Sequence, residues 1–211
     1  VEIMDIPGLA KGASQGEGVG NKFLADIQQT DAIIHVLRCF DDENLPHVEG
    51  SVNPVRDREI VDLELQIRDL DLVERKIQRL EKAAKTGDKD AKHGVEVLTR
   101  VKDHLENFQS VRTLEISETD RRFIDDMYLL TDKPVIYVCN VDDASAVKGN
   151  KYVELLKESV KNENTEVIVI AGALEAEIAE LESAEDRKVF LEDAGLSEPG
   201  VNRLVRSAYA I

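Results

Sequence analysis

Val1-Glu2-Ile3-Met4-Asp5-Ile6-Pro7-Gly8-Leu9 opens the chain, and Lys11-Gly12-Ala13-Ser14, Gly16, Gly18 and Gly20-Asn21 follow it. An apolar run ends in an acid, then in Pro-Gly, then in a glycine-rich loop. A buried strand that delivers a carboxylate to its C-terminal end has this pattern. Asp5 to Gly8 spells D-x-x-G. In a phosphate-transfer site such a carboxylate holds Mg2+ through water, and the glycine amide faces the terminal phosphate. Glycines at 12, 16, 18 and 20 leave the next segment loose until a ligand orders it, as a nucleotide-sensing switch requires. The tetrapeptide is common, so its weight depends on what the rest of the chain sets beside it.

The 211 residues suffice for one large core or a core with an insertion. A net charge of -16 argues against a broad electrostatic grip on nucleic acid or on an anionic membrane. No apolar stretch approaches the roughly 18 residues of a membrane-spanning helix, and the opening residues are not expected to act as a signal peptide. Cys39 and Cys139 each close an apolar run. They read as buried free thiols of a reducing, cytoplasmic environment rather than as a disulfide. The first residues already read as a strand and no initiator Met precedes them, so the chain is expected to begin inside a longer protein.

Periodicity sets out the rest. Residues 21–29 read as a short helix with Phe23, Leu24 and Ile27 on one face. Residues 32–40 form a nearly continuous β-prone run, expected as a central parallel strand covered on both faces. His35 inside it reads as a core histidine. Residues 41–56 are irregular, punctuated by Pro46, Gly50 and Pro54. His47 lies there, just past a strand's C-terminal end, where open α/β sheets place their chemistry; a solvated loop histidine is the plainer reading. Residues 59–85 carry an apolar stripe through Ile60, Leu63, Ile67, Leu70, Val73, Ile77 and Leu80. A second stripe runs from Ala91 to Phe108. Two such helices joined by a polar turn predict an antiparallel hairpin, expected as a slender arm rather than a layer on the sheet. A helix over about 117–130, a strand over 135–140, a helix over 151–161 and a strand over 166–170 follow. Helices over 175–181, 183–193 and 201–210 close the chain. The fold class is therefore α/β: a doubly wound parallel sheet interrupted once by a helical insertion. The divisions are 1–57, the hairpin 58–109, and 110–211.

Three strand ends now line up. The first carries Asp5-x-x-Gly8, a later one Asn140-Val141-Asp142-Asp143, and the next Ala171-Gly172-Ala173. In a P-loop nucleotide-binding domain these are, in order, the magnesium and γ-phosphate corner, the base reader and the loop behind the base. Asn140 can bond the base edge, and Asp143, an acceptor-only carboxylate, can take the N–H groups of guanine. Small residues at 171–173 let the backbone approach the base.

At these residues the chain resembles the Obg-related, YchF-type (Obg-like ATPase) branch of the translation-factor P-loop GTPases. The resemblance is carried by Asp5-Ile-Pro-Gly8-Leu9, Lys11-Gly-Ala-Ser14 with its glycines, His35-Val-Leu-Arg-Cys-Phe40 and His47-Val-Glu-Gly50 with Asn53-Pro54. It continues through Lys82-x-x-Lys85-x-Gly-Asp-Lys89, Leu130-Thr131-x-Lys133-Pro134, Glu175-Ala-Glu-Ile-Ala-Glu-Leu181 and Gly195-Leu196-x-Glu198-Pro-Gly200. It implies a G domain with a coiled-coil insertion, a nucleotide-hydrolysing switch, Mg2+ as cofactor, and association with ribosomes or translation factors through the arm and further domains. Leu9 follows the D-x-x-G glycine, where Ras-like GTPases carry a water-orienting glutamine; a leucine cannot orient water by hydrogen bonding. The resemblance points instead to His47, which could swing to the γ-phosphate. It also implies that Gly8, Asn140, Val141, Asp143, Ala171, Gly172 and Ala173 meet the nucleotide and that Asp5 serves the metal.

Two features depart from the family pattern. The base reader is usually N-x-x-E there, and the family then favours ATP. Here Val141 stands in place of a base-stacking lysine and Asp143 in place of Glu, which leaves GTP as a competitor to ATP. No G-x-x-x-x-G-K-[ST] loop occurs; the family places it, with switch I, upstream of Val1, and a TGS-like β domain downstream of Ile211. A second class of function stands beside the hydrolase: a binding module whose arm docks a partner while nucleotide only stabilises the shape. The chain by itself, lacking an amide nest and a phosphate lysine, is expected to bind ATP weakly and to turn over essentially none. Calorimetry showing tight stoichiometric ATP uptake by these residues alone would refute that.

Overall fold

The computed structural model describes residues 1–6 and 19–211, with the side chains of residues 1–6 and 22–211. The chain packs as two compact units. The first holds Val1–Ile3, Ala32–Arg58 and Pro134–Ile211; the second holds Met4–Asp31 and Glu59–Lys133.

In the first unit three parallel strands form a sheet in the order β1 (Ile33–Arg38), β2 (Val135–Asn140), β3 (Val167–Ile170). The register pairs Arg38 with Asn140 and Asn140 with Ile170, so all three strands end on one line. Tyr137 and Cys139 pack under Val153 and Leu156 of α4 (Lys151–Ser159), Leu174 and Ile178 of α5 (Gly172–Glu180) and Leu191 of α6 (Ala184–Asp193). Ile136, Val138 and Ile168 face the other way, toward Leu204 and Ala208 of α7 (Gly200–Ala210). Helices therefore cover both faces, as a doubly wound sheet requires. Both cysteines are free and buried, as expected.

Two strand expectations are corrected. The fully covered strand is β2, not β1: β1 has one neighbour among the described residues, and its Val36 is 60% exposed. Residues 1–6 are not a strand; no ladder pairs them among the described residues, and Val1, Ile3 and Met4 are exposed.

The second unit is built on α2 (Pro54–Lys85) from Glu59 onward and on α3 (Lys89–Glu106). The helix starts at Pro54 rather than near Glu59, because Asn53 Oδ1 accepts the Arg56 N–H and Pro54 needs no donor at the first helical position. Asp88 caps α3 through the amides of Asp90 and Ala91. Lys102 lies 3.6 Å from Glu74, and Gln66 bonds Ser110; later residues of α3 and its extension meet earlier ones of α2, so the pair is antiparallel. It is not a bare pair. Val73, Val97, Leu98 and Val101 are closed over by Val111, Phe123, Ile124, Met127 and Leu129. The expected helix over 117–130 is instead a series of short 3-10 turns, Asp120–Phe123, Asp125–Met127 and Leu130–Asp132. A regular helix buries one stripe, whereas here consecutive Phe123-Ile124 and Leu129-Leu130 all turn inward. Gly94 makes the approach close enough: a Cβ there would sit 2.8 Å from the Phe123 ring.

Polar side chains satisfy the backbone of these turns. Asp69 is fully buried and accepts the Leu130 N–H (2.8 Å), the Thr131 N–H (2.7 Å) and the Thr131 hydroxyl (2.7 Å). Lys76 donates to the Phe123 carbonyl and to Asp126 (2.6 Å). Lys133 donates to the Gln28 (3.2 Å) and Thr30 carbonyls past the end of α1 (Val19–Gln28). Burial outweighs the three donors at Asp69 and pushes its carboxyl up to about 6.

Asp69 therefore holds its proton in the fold at pH values where it has lost it in the unfolded chain. Its contribution is most favourable below 3.8, declines as pH rises to about 6, and is constant above. Raising pH from about 5.5 to about 7.5 should cost about 1 kcal/mol through this group. In urea unfolding, Asp69→Asn should remove that part of the pH dependence. Asp69→Ala should cost about 3 kcal/mol at neutral pH, because the Leu130 and Thr131 amides lose their acceptor.

Candidate functional site

Because the three strands are parallel and end in register, the segments after Arg38, Asn140 and Ile170 leave from one edge of the sheet. Ligands of open α/β sheets bind outside such carboxyl edges.

The third segment begins α5, whose N-cap residue, Ala171, has no side-chain oxygen. Its first helical amide, Gly172 N–H, would be an orphan donor. Asn140 supplies the acceptor from the neighbouring strand: its Oδ1 lies 2.9 Å from Gly172 N. This bond fixes the orientation of the amide and leaves Nδ2 as a directed donor, the group that can meet a ring-nitrogen acceptor of a purine. Gly172 is required by contact, since a Cβ there would lie 2.9 Å from Asn140 Oδ1. Ala171 is buried and Ala173 exposed. Val141 is buried and donates its N–H to the Ile170 carbonyl (2.9 Å), which carries the sheet ladder one residue further. Asp143 is exposed at the start of a short turn, Asp143–Ser145.

The first segment holds His47. Arg38 folds residues 40–45 around its guanidinium, donating to the carbonyls of Phe40 (3.1 Å) and Leu45 (2.7 Å). Asn150 Nδ2 donates to the Cys39 carbonyl (2.6 Å), while its Oδ1 caps α4. His47 Nε2 lies 2.6 Å from Asp57 Oδ2, and the Glu49 N–H donates to His47 Nδ1 (2.9 Å). Asp57 sits in the first turn of α2, with Arg56 on its other oxygen (3.2 and 3.1 Å). Arg56 also holds Ser51 through its hydroxyl (2.9 Å) and carbonyl (2.6 Å).

Asn140, Ala171 and Gly172 are thus brought together, and Val141 lies beside them. His47 stands in a loop from the same sheet edge. His35 is half-buried beside the Tyr137 ring, at 5.9 Å between centroids. Asp5 is exposed, in a stretch without regular secondary structure. Gly8 and Leu9 lie outside the described residues. Sequence reasoning missed Arg38, Asn150, Arg56 and Asp57. Only Asn150 carried a local signal, as the polar residue before a helix.

Similarity to known proteins covers the whole chain. It is 43% identical over 212 residues to the ribosome-binding ATPase YchF of Bacillus subtilis, covering all of this chain and 58% of that protein. It is 44% identical over 211 residues to the ribosome-binding ATPase YchF of Escherichia coli O157:H7, with the same coverage. The structure of the Schizosaccharomyces pombe YchF GTPase superposes with a TM-score of 0.81 at 32% identity, over 96% of this chain and 56% of that one. No protein-family profile matches the chain. The chain spans little more than half the length of these relatives.

The bond between strand and helix can be measured. Asn140→Ala and Gly172→Ala should each lower stability by about 1–2 kcal/mol in denaturant titrations. The double variant should cost clearly less than the sum, because both changes remove one bond. Full additivity would show that the two residues act separately.

Proposed function

The chain belongs to the YchF family, and from that premise we propose that it is the middle of a nucleotide-hydrolysing switch. ATP is the nucleotide, and GTP its competitor. The observation that carries this reading is Asn140, held by the Gly172 amide at the carboxyl edge of the sheet with its Nδ2 left to face a purine. Asp143, exposed one turn on, takes the donors on the base, and the short side chains of Ala171 and Ala173 admit it. Val141 backs this corner from the core.

Asp5 and Gly8 serve the phosphate end. Mg2+ in phosphate-transfer sites keeps several waters and needs one or two carboxylates beside the phosphates; the single exposed carboxylate of Asp5 fits that demand. The ion, when bound, neutralises charge between the β- and γ-phosphates. His47 takes the role that Leu9 cannot fill, orienting the water that attacks the γ-phosphate. Relatives named ribosome-binding ATPases support a ribosomal partner, engaged by the hairpin of α2 and α3 and by parts of the protein outside this chain, in the cytoplasm. The family division follows: 1–57 and 110–211 as the nucleotide-binding domain and 58–109 as a coiled-coil insertion. Among the described residues no helix is long and apolar enough to cross a membrane.

The test uses the longer protein, extended upstream to include a phosphate-binding loop. His47→Ala should lower ATP turnover by about a hundredfold with little change in nucleotide affinity. Asn140→Ala should do the reverse, weakening nucleotide binding. Turnover that is undetectable in the wild type as well as in His47→Ala would favour a pure binding module.

A further inference from the structure

We infer that Asp57 is a positioning residue that holds His47 in an idle state, and that release of the His47–Asp57 bond is the step that makes the histidine available. This rests on the reading of His47 as the water-orienting group.

The tautomer can be assigned from the bonds. Nδ1 accepts the Glu49 N–H at 2.9 Å, so that nitrogen carries its lone pair toward the backbone and no proton. The proton is on Nε2, donated to Asp57 Oδ2 at 2.6 Å. An imidazole orients water, or meets a phosphoryl oxygen, through a free N–H, and takes a proton from water through a free lone pair. In this arrangement neither is free.

The partner is fixed more firmly than the histidine. Asp57 lies in a helical turn, its N–H bonded to the Asn53 carbonyl at 3.0 Å. Its Oδ1 is held by two nitrogens of Arg56, leaving Oδ2 for His47. Arg56 in turn fastens Ser51, so the far end of the loop is pinned to the same helix start. The histidine's neighbour gives no apolar anchor: Val48 is 99% exposed. The imidazole is thus kept by one charged hydrogen bond from outside the loop and one amide from within it. Losing the first frees the Nε2–H without disturbing the core of the sheet.

An alternative role for the carboxylate is to orient His47 during turnover, as an aspartate does for a catalytic base. The two roles predict opposite signs. In the longer protein, with ATP and without any partner, Asp57→Asn should raise basal kcat by about five- to thirtyfold, with KM for ATP unchanged. Asp57→Ala should do the same, and the rise should vanish when His47→Ala is added. Nitrogen-correlated NMR should show the Nε2-protonated tautomer in the wild type and faster exchange of that proton in Asp57→Asn. A fall or no change in kcat for both Asp57 variants, with the fold intact by circular dichroism and His47→Ala still impaired, overturns the latch but keeps His47 as the catalytic group. If His47→Ala turns over like the wild type, the role of His47 fails and the latch fails with it.

Discussion

Gly172 and Asn140 meet across the ends of two structural elements, and the bond between them settles what the edge of the sheet can do. A helix beginning directly after a strand has amides with no partner. The usual remedy is a polar side chain at the N-cap, but Ala171 cannot provide one. Asn140, one strand over, provides it instead. The consequence is a side chain with no rotational choice left, because its oxygen is spoken for and its nitrogen must point elsewhere. A base-reading amide needs that property: the donor and acceptor of an unrestrained asparagine are nearly interchangeable in shape. Here one bond caps the helix and directs the amide, which is why glycine is needed at 172.

Similar logic governs the second unit. A long helix with a narrow apolar stripe is expected to show charged residues to solvent. Yet Glu64, Gln66, Asp69 and Lys76 of α2 are buried. At least two of them spend their polar atoms on the irregular segment opposite: Asp69 on two amides and a hydroxyl, Lys76 on a carbonyl. The Phe123 carbonyl and the Leu130 amide would be satisfied internally had residues 117–130 formed a regular helix. The side chains of α2 replace the missing helical bonds and let apolar residues of several phases turn inward together. The irregular segment and the buried charges explain each other.

This also marks what the sequence made legible. Strand 135–140 is unbroken apolar β-branched or aromatic residues up to Cys139 and ends where Asn140 appears; nothing competes with that pattern, and the strand has those limits. Asn150 and Ser183 are local capping signals, and each begins a helix. Asn53-Pro54 is one too, but its proline reads equally as loop punctuation, so the sequence reading starts that helix too late. The hairpin stripes were visible because their period is. The turns at 120–132 were not, because the groups that stabilise them lie about 50 to 60 residues earlier in the chain. The apolar run before Asp5 looked like a strand by the same rule that succeeded at 135–140, and failed because a strand also needs a neighbour, and none pairs it among the described residues. At the site, motif order pointed to Asn140 and Gly172 and the family resemblance to His47, but neither pointed to Asp57 or Arg56, whose roles exist only once the loop has closed on the helix.

The loop between β1 and α2 is tied differently from everything around it. The sheet is held by buried apolar area, which is lost only when the unit opens. Residues 40–53 are held by Arg38 at one end, Arg56 at the other and the imidazole of His47 between, with most of the intervening side chains exposed. The bonds to Leu45 and Ser51 are exposed and individually worth little, since water replaces them, while the His47–Asp57 bond is partly buried. Such a loop has one preferred form, yet a second form costs only the bonds exchanged and leaves the core untouched. A segment that must be ordered when idle and different when engaged needs that balance. Arg38 and Asn150 anchor its root to the sheet, so a change at His47 stays within the loop.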